Sequence, residues 1–167
     1  MVPAQDSDFR FDAKANSSTA LTIWVRLLLV AIATSLAALF VVAGRIDPYD
    51  GEGKSLRLGT HRQLGLPPCY FMQHFGHPCP HCGMTTSFAL LAHGDLVGSA
   101  RANFVGTLLA IVFATAIVWA LMCFVRRRWV WVRPTETLAL LGIVGFIGLA
   151  IVRWVIVVGV PWLAGYG

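Results

Sequence analysis

Three cysteines near the middle of the sequence have a spacing that suits either metal binding or thiol chemistry. Cys79 and Cys82 form a C-x-x-C pair in the stretch PCPHCGMT, and Cys69 lies ten residues before Cys79. A C-x-x-C turn brings two sulfurs together, which serves a redox dithiol as well as a metal knuckle. The same spacing is also compatible with a static disulfide between two of the three cysteines.

Metal binding is favoured by the histidines that surround these cysteines. Positions 69–93 contain three of the four cysteines and four of the five histidines of the chain. Structural zinc sites take four Cys or His ligands, and Cu(I) accepts the same soft donors. No second C-x-x-C motif accompanies the first. Zinc is the expected cofactor of such a site, and the candidate ligands are Cys69, Cys79, Cys82, His74, His77 and His81.

A redox site is the alternative that the same segment supports. Cys79 would act as the nucleophile and Cys82 as the resolving thiol, with His81 between them lowering the thiol pKa. A helix that begins near Cys82 would add unpaired backbone N–H groups, which favour a thiolate. Cys-Pro-His-Cys is similar to the active site of strongly oxidising thiol oxidases of the thioredoxin fold, but the chain lacks the βαβ pattern of that fold. Haem attachment is disfavoured because Gly83, not a histidine, follows the pair.

The rest of the chain has the composition of a membrane protein. Hydrophobic residues make up 57% of its 167 residues and charged residues 13%, against about a quarter charged in soluble domains. Three apolar segments, 21–43, 104–125 and 137–163, are long enough to cross a bilayer. The net charge of +5 forms no basic face, which argues against nucleic-acid binding. The lipid bilayer is the expected partner, and a membrane protein partner is left open.

The distribution of arginines predicts the side of the membrane that each loop occupies. The loop 126–136 contains RRRWVWVR, which has four arginines and no acid, so the positive-inside rule places it in the cytoplasm. The N-terminal tail, 1–20, is then cytoplasmic, and 44–103 lies outside, where disulfides persist. The chain is therefore predicted to be a multi-pass membrane protein with its N-terminus in the cytoplasm. A cleaved signal peptide is the alternative for the first apolar segment, and it leaves 44–103 on the same side.

A short helix is predicted directly after the cysteine turn. In MTTSFALLAH, from 84 to 93, apolar residues recur at helical spacing, and Gly94 is suited to end the helix. Ten residues cannot cross a bilayer, so an interfacial or re-entrant helix is expected, with its apolar face towards lipid or the other helices. Asp95 is suited to cap a second short helix that leads into the second span. The predicted fold class is an all-α integral membrane protein with three transmembrane helices and this short extracytoplasmic helix.

Arg153 and Cys123 are two residues within the apolar segments that could bear on function. Arg153 falls in the outer part of the third span, on the side predicted for the cysteines. It can either snorkel to lipid headgroups or face the cysteine site, where its charge would favour a thiolate or an anionic ligand. Cys123, near the cytoplasmic end of the second span, is expected to be a small buried residue.

Several short motifs between 47 and 103 form a recognisable set. They are Asp47-Pro48, Pro68-Cys69, Gly76, Pro78-Cys79-Pro80, Cys82-Gly83-Met84-Thr85, Gly94-Asp95, Ala100 and Asn103. The segment that carries them resembles a bacterial membrane family known as domain of unknown function 2752. The resemblance implies a membrane setting and a cysteine-centred core, with no established reaction. The chain departs from the family pattern in having His81 where Gly is usual, Thr86 where Arg is usual and Phe104 where Pro is frequent.

Together these features predict an accessory or structural membrane module whose extracytoplasmic loop is held by a metal or a disulfide. The alternative is a membrane thiol–disulfide oxidoreductase or redox sensor that uses Cys79 and Cys82. The sequence leaves open whether the protein is an enzyme.

Overall fold

Three helices in the computed structural model, which describes residues 21–131 and 135–159, are long and apolar enough to cross a membrane. They comprise 21, 31 and 24 residues. An uncharged segment in lipid must satisfy its backbone hydrogen bonds internally, and a helix does so. Apart from isolated bridge residues at Tyr49, Ser55 and Arg128, the described residues are helical or irregular. The predicted all-helical fold with three spans is therefore confirmed, and the protein is a multi-pass membrane protein.

The helices follow one another in a simple order along the chain. The first and second spans are separated by a long connection with short helices, and the second and third by a short basic loop. The predicted tail, 1–20, the middle of that loop and the end of the predicted third span, 160–163, lie outside the described residues. The elements are α1 (Ile23–Ala43), a 3-10 helix (Thr60–Leu64), α2 (Tyr70–Phe75), α3 (Met84–Ala92), α4 (Leu96–Arg126) and α5 (Glu136–Trp154), which continues as a π-helix (Val155–Gly159).

Helices α1 and α4 pack against each other at both ends. At the end near the basic loop, Leu29 and Ala33 of α1 form a buried cluster with Ala120 and Cys123 of α4. At the other end, Ala43, Phe88 and Ala110 form a second cluster that also includes α3. Alanines at such contacts let helix backbones approach closely. Cys123 is fully buried in the first cluster, as expected, and is remote in the fold from the other three cysteines.

Helix α4 is bent at Asn103, near its beginning. The Asn103 backbone is extended, with φ −159° and ψ 102°, so the helix stops and starts again at this residue. Its side-chain Oδ1 accepts hydrogen bonds from the backbone N–H groups of Val105 and Gly106, both at 3.1 Å. This is the geometry of an N-cap. The short helix predicted to start at Asp95 does so, with the Asp95 carboxylate capping Gly98 N–H at 2.7 Å, and it joins the second span through this bend.

Helix α3 is held in the angle of that bend. Gly94, at φ +82°, reverses the chain between α3 and α4. The Ser99 hydroxyl of α4 donates to the Ser87 carbonyl of α3 and shares a hydrogen bond with Thr107, both at 2.7 Å. Five consecutive residues of α3, 86–90, are buried. Its apolar face is therefore directed towards the other helices, one of the two environments expected for it.

The long connection between α1 and α3 is held by one contact within itself and by one contact to α3. The Gln63 side chain makes two hydrogen bonds with the Asp47 backbone, at 2.7 and 2.9 Å. The hydroxyls of Thr60 and Thr86, both about 1% exposed, are 2.9 Å apart and link the 3-10 helix to α3. Buried hydroxyls need such partners, and these bonds fix the segment that passes beside the cysteines.

Candidate functional site

The sulfurs of Cys69, Cys79 and Cys82 converge on one point of this connection. The Sγ atoms of Cys79 and Cys82 are 3.2 Å apart, and those of Cys82 and Cys69 are 3.3 Å apart. All three sulfurs lie within 4.8 Å of one another, and the three thiols are free. Cys82 is thus the central member of the cluster. The three cysteines are brought together as a group, not as a C-x-x-C pair with a remote third thiol.

Two short backbone features bring the sulfurs together. Cys69 directly precedes α2, and Gly76, in the left-handed conformation at φ +68°, turns the chain back at its other end. From Cys79 to Cys82 the chain forms a tight turn, in which Cys82 N–H donates to the Cys79 carbonyl at 3.0 Å. In return, Cys79 N–H donates to the Cys82 sulfur at 3.3 Å. The turn thus directs one backbone N–H group at one of its two sulfurs.

Gly83 allows the cysteine turn to pack closely against neighbouring backbone. Its φ is +84°, and a Cβ atom at this position would lie 2.8 Å from the Ala102 carbonyl oxygen and 2.9 Å from that of Arg57. A side chain is therefore excluded both by backbone conformation and by space. The helix predicted to begin near Cys82 begins at Met84, with Gly83 as its N-cap residue.

Asn103 connects the cysteine turn to the bend in α4. While its Oδ1 caps the second part of the helix, its Nδ2 donates to the Cys82 carbonyl at 3.1 Å. The residue is 1% exposed, so both ends of its amide are satisfied within the protein, as a buried amide requires. The position of Cys82 is in this way coupled directly to the second span.

The thiols of Cys69 and Cys82 differ in acidity. The backbone N–H of Met72 lowers the pKa of Cys69 to about 7, assisted by the thiols of Cys82 and Cys79. The Met72 N–H stabilises the Cys69 thiolate, although the Cys69 side chain makes no regular capping hydrogen bond to α2. Burial raises the pKa of Cys82 to about 12, and its hydrogen bonds to Cys79 and Cys69 act in the same direction. At neutral pH, therefore, about half of the Cys69 thiols are ionised, and Cys82, which stays protonated, can donate its S–H to the Cys69 thiolate.

The cysteine cluster opens into a cavity of about 340 Å³. All three cysteines are partly exposed, so their sulfurs are accessible from this space. Soft or nitrogen donors also line the cavity, namely Met72, Met84, His61 and His81. A cavity of this size admits an ion together with a small ligand.

The predicted histidine ligands occupy three different environments. His81 lines the cysteine cavity, whereas His77 lines a separate pocket with Phe71 and Trp154. His74 stacks on Tyr70, with ring centroids 3.8 Å apart, and its Nδ1 lies 3.1 Å from the Tyr70 carbonyl oxygen. Among the described residues, the group whose ligand atoms lie within 4.8 Å of one another consists of the three cysteines alone.

The end of α5 is attached to the cysteine turn. Trp154 donates from its indole N–H to the Pro78 carbonyl at 2.8 Å. The neighbouring Arg153 donates from Nη2 to the Ala102 carbonyl at 3.0 Å, and it is only 9% exposed. The described contact of Arg153 is therefore made within the protein, to a carbonyl of α4 close to the bend at Asn103.

Comparison with known proteins identifies one family. Residues 69–117 match the family model described as "Protein of unknown function (DUF2752)". The resemblance seen in the sequence is thereby confirmed for the segment that holds the three cysteines, α3, the bend at Asn103 and the first part of the second span. Neither the curated proteins nor the solved structures provide a match.

Proposed function

We propose that this protein is an accessory membrane module that binds one soft metal ion through the thiolates of Cys69, Cys79 and Cys82. The observation that carries the proposal is the convergence of three partly exposed sulfurs within 4.8 Å. Two sulfurs that bind one tetrahedral zinc ion at about 2.3 Å are about 3.8 Å apart. The cluster needs movements of only about 0.5 Å in its two short contacts to reach that spacing.

The acidity of the thiols is compatible with metal binding near neutral pH. Because the pKa of Cys69 is about 7, this thiol is mostly ionised above that pH and binds a metal ion without first having to lose a proton. Cys82, with its pKa near 12, is protonated in the free protein and must lose its proton to become a ligand. Metal binding therefore releases protons and weakens as the pH falls.

The number of protein ligands bears on the identity of the metal. Three thiolates suffice for Cu(I), a soft ion that prefers sulfur. Zn²⁺ takes four ligands, and His81, which lines the same cavity, is the side chain best placed to supply the fourth. The proposal favours zinc with His81, because among the predicted histidine ligands it is the one that lines the cavity of the cysteines.

The proposal is tested by metal analysis of the purified full chain in detergent, combined with thiol titration. We expect one zinc ion per chain and protection of three thiols from alkylation until a chelator is added. Cys123, the fourth thiol, is fully buried. We therefore expect it to react only after denaturation. A metal-free protein that contains an easily reduced disulfide would contradict the proposal.

The cysteine loop is proposed to lie outside the cytoplasm, in a bacterial inner membrane. The support is the arginine cluster that ends α4, at Arg126, Arg127 and Arg128, since such clusters remain on the cytoplasmic side. A membrane-impermeant maleimide added to intact cells in the presence of a chelator is expected to label Cys69. Labelling only after the cells are permeabilised would mean that the cysteine loop lies in the cytoplasm.

A second candidate function, thiol–disulfide exchange, is favoured by the 3.2 Å contact between the Cys79 and Cys82 sulfurs. In that reaction a partner's disulfide accepts two electrons and two protons, and Cys79 and Cys82 form a disulfide. The lowered pKa belongs to Cys69, so Cys69 would start the exchange and form the mixed disulfide with the partner. Cys82, 3.3 Å away, would then release the reduced partner and form a Cys69–Cys82 disulfide. Attack of Cys79 on the Cys82 sulfur, 3.2 Å away, would give the Cys79–Cys82 disulfide and free Cys69 again. Because three thiols take part in one contact network, we rank this function second.

A further inference from the structure

Arg153 is a buried cation within a membrane-spanning helix. It belongs to the last turn of α5 and is 9% exposed. A charge is costly at such a place unless it is paired or reaches water. The single hydrogen bond described for its side chain, to the Ala102 carbonyl, satisfies one N–H group but provides no opposite charge.

Thiolates of the cysteine turn can supply the missing opposite charge. Through the Ala102 carbonyl, Arg153 is bound beside Gly83, the residue directly after Cys82, and the thiolates of that turn belong to Cys82 and Cys79. These are two of the three proposed metal ligands, and both belong to the same turn. Three thiolates exceed the charge of one divalent ion by one unit, so a metal-loaded cluster keeps a negative charge that Arg153 can balance.

The attachment of α5 holds Arg153 in this position. The Ala102 carbonyl that accepts its hydrogen bond is the one that Gly83 approaches closely. Trp154 fixes the adjacent residue of the same helical turn to the Pro78 carbonyl. The third span is thus attached at Pro78, which directly precedes Cys79, and at Ala102, which packs against Gly83 directly after Cys82.

We propose that Arg153 is the built-in counter-charge of the cysteine site, a positioning residue that raises the affinity of the three thiolates for metal through its charge. This inference rests on the proposed metal-binding function. It assigns the third span, which lies beyond the matched segment 69–117, a role in the site.

Two substitutions separate the charge of Arg153 from its hydrogen bond. Arg153→Gln keeps an N–H donor but removes the charge, whereas Arg153→Lys keeps both the charge and a donor. Zinc affinity is measured by chelator competition on the full chain in detergent. We expect a loss of about 10- to 100-fold in Arg153→Gln, the range found when a group behind a metal ligand is removed, and affinity near wild type in Arg153→Lys.

Arg101→Gln is the matched control, because Arg101 is an exposed arginine of α4 and water screens its charge. It is expected to bind zinc like the wild type. Wild-type affinity in Arg153→Gln, or an equal loss in Arg153→Lys, would overturn the inference while leaving the metal site standing. Should Arg153→Gln fail to fold, Arg153→Met replaces it under the same criteria. Absence of zinc binding in the wild type would instead overturn the proposed function.

Discussion

Cys82→Ser is expected to abolish tight metal binding. Cys82 is the central sulfur of the cluster, 3.2 Å from the Cys79 sulfur and 3.3 Å from the Cys69 sulfur. Its loss removes one ligand and the contact between the other two. Removal of a group behind a ligand already costs about 10- to 100-fold in affinity, so loss of the ligand itself should cost about 100-fold or more. The measurement is zinc or cobalt titration of the purified variant.

The matched control for this change is Cys123→Ser. Cys123 is also a free cysteine, but it is fully buried in the cluster between α1 and α4. Its sulfur accepts a hydrogen bond from Val130 N–H at 3.4 Å, which a hydroxyl can also accept. We expect wild-type metal affinity in this variant. A Cys82→Ser protein that binds as tightly as Cys123→Ser would remove Cys82 from the site.

Among the glycines of residues 69–94, which contain the three cysteines, Gly83 is the one whose substitution by alanine is expected to destabilise the protein most. The new Cβ would meet two backbone carbonyl oxygens at 2.8 and 2.9 Å, and the φ of +84° is unfavourable for alanine. Backbone strain and overpacking each cost about 1–3 kcal/mol. We therefore expect the free energy of unfolding in detergent to fall by about 3 kcal/mol or more. Metal affinity should fall as well, because Gly83 follows Cys82 directly.

Gly94→Ala separates the two causes. Gly94 has nearly the same backbone conformation, with φ +82°, but a Cβ there would meet nothing within 4 Å. Only the conformational cost of about 1 kcal/mol remains. Equal destabilisation in the two variants would mean that the close approach of Gly83 to Ala102 and Arg57 does not contribute.

The local features of the fold could be predicted from the sequence. Uncharged segments of about 20 residues indicate helical spans, and Asp95 indicates a cap because its carboxylate is followed by a helical pattern. The three cysteines that converge are the three that the spacing singled out as ligands. These signals are local, since each depends on residues that are near one another in the chain.

The contacts that complete the site could not be predicted, because they join residues distant in sequence. Asn103 bonds to the Cys82 carbonyl across 21 positions, and Arg153 bonds to the Ala102 carbonyl across 51. Asn103 appears in the sequence only as a polar residue at the start of an apolar run, and its place among the family motifs is the one signal that could have identified it. The separation of His74, His77 and His81 likewise depends on how α2 turns, which spacing does not reveal.

The central claim, that Cys69, Cys79 and Cys82 jointly bind one metal ion, is tested most directly by X-ray absorption at the metal edge of the purified protein. We predict three sulfur neighbours per metal ion at about 2.3 Å, reduced to two in Cys82→Ser when enough metal is supplied to load it. A metal surrounded by nitrogen and oxygen alone, or by a single sulfur, would contradict the claim.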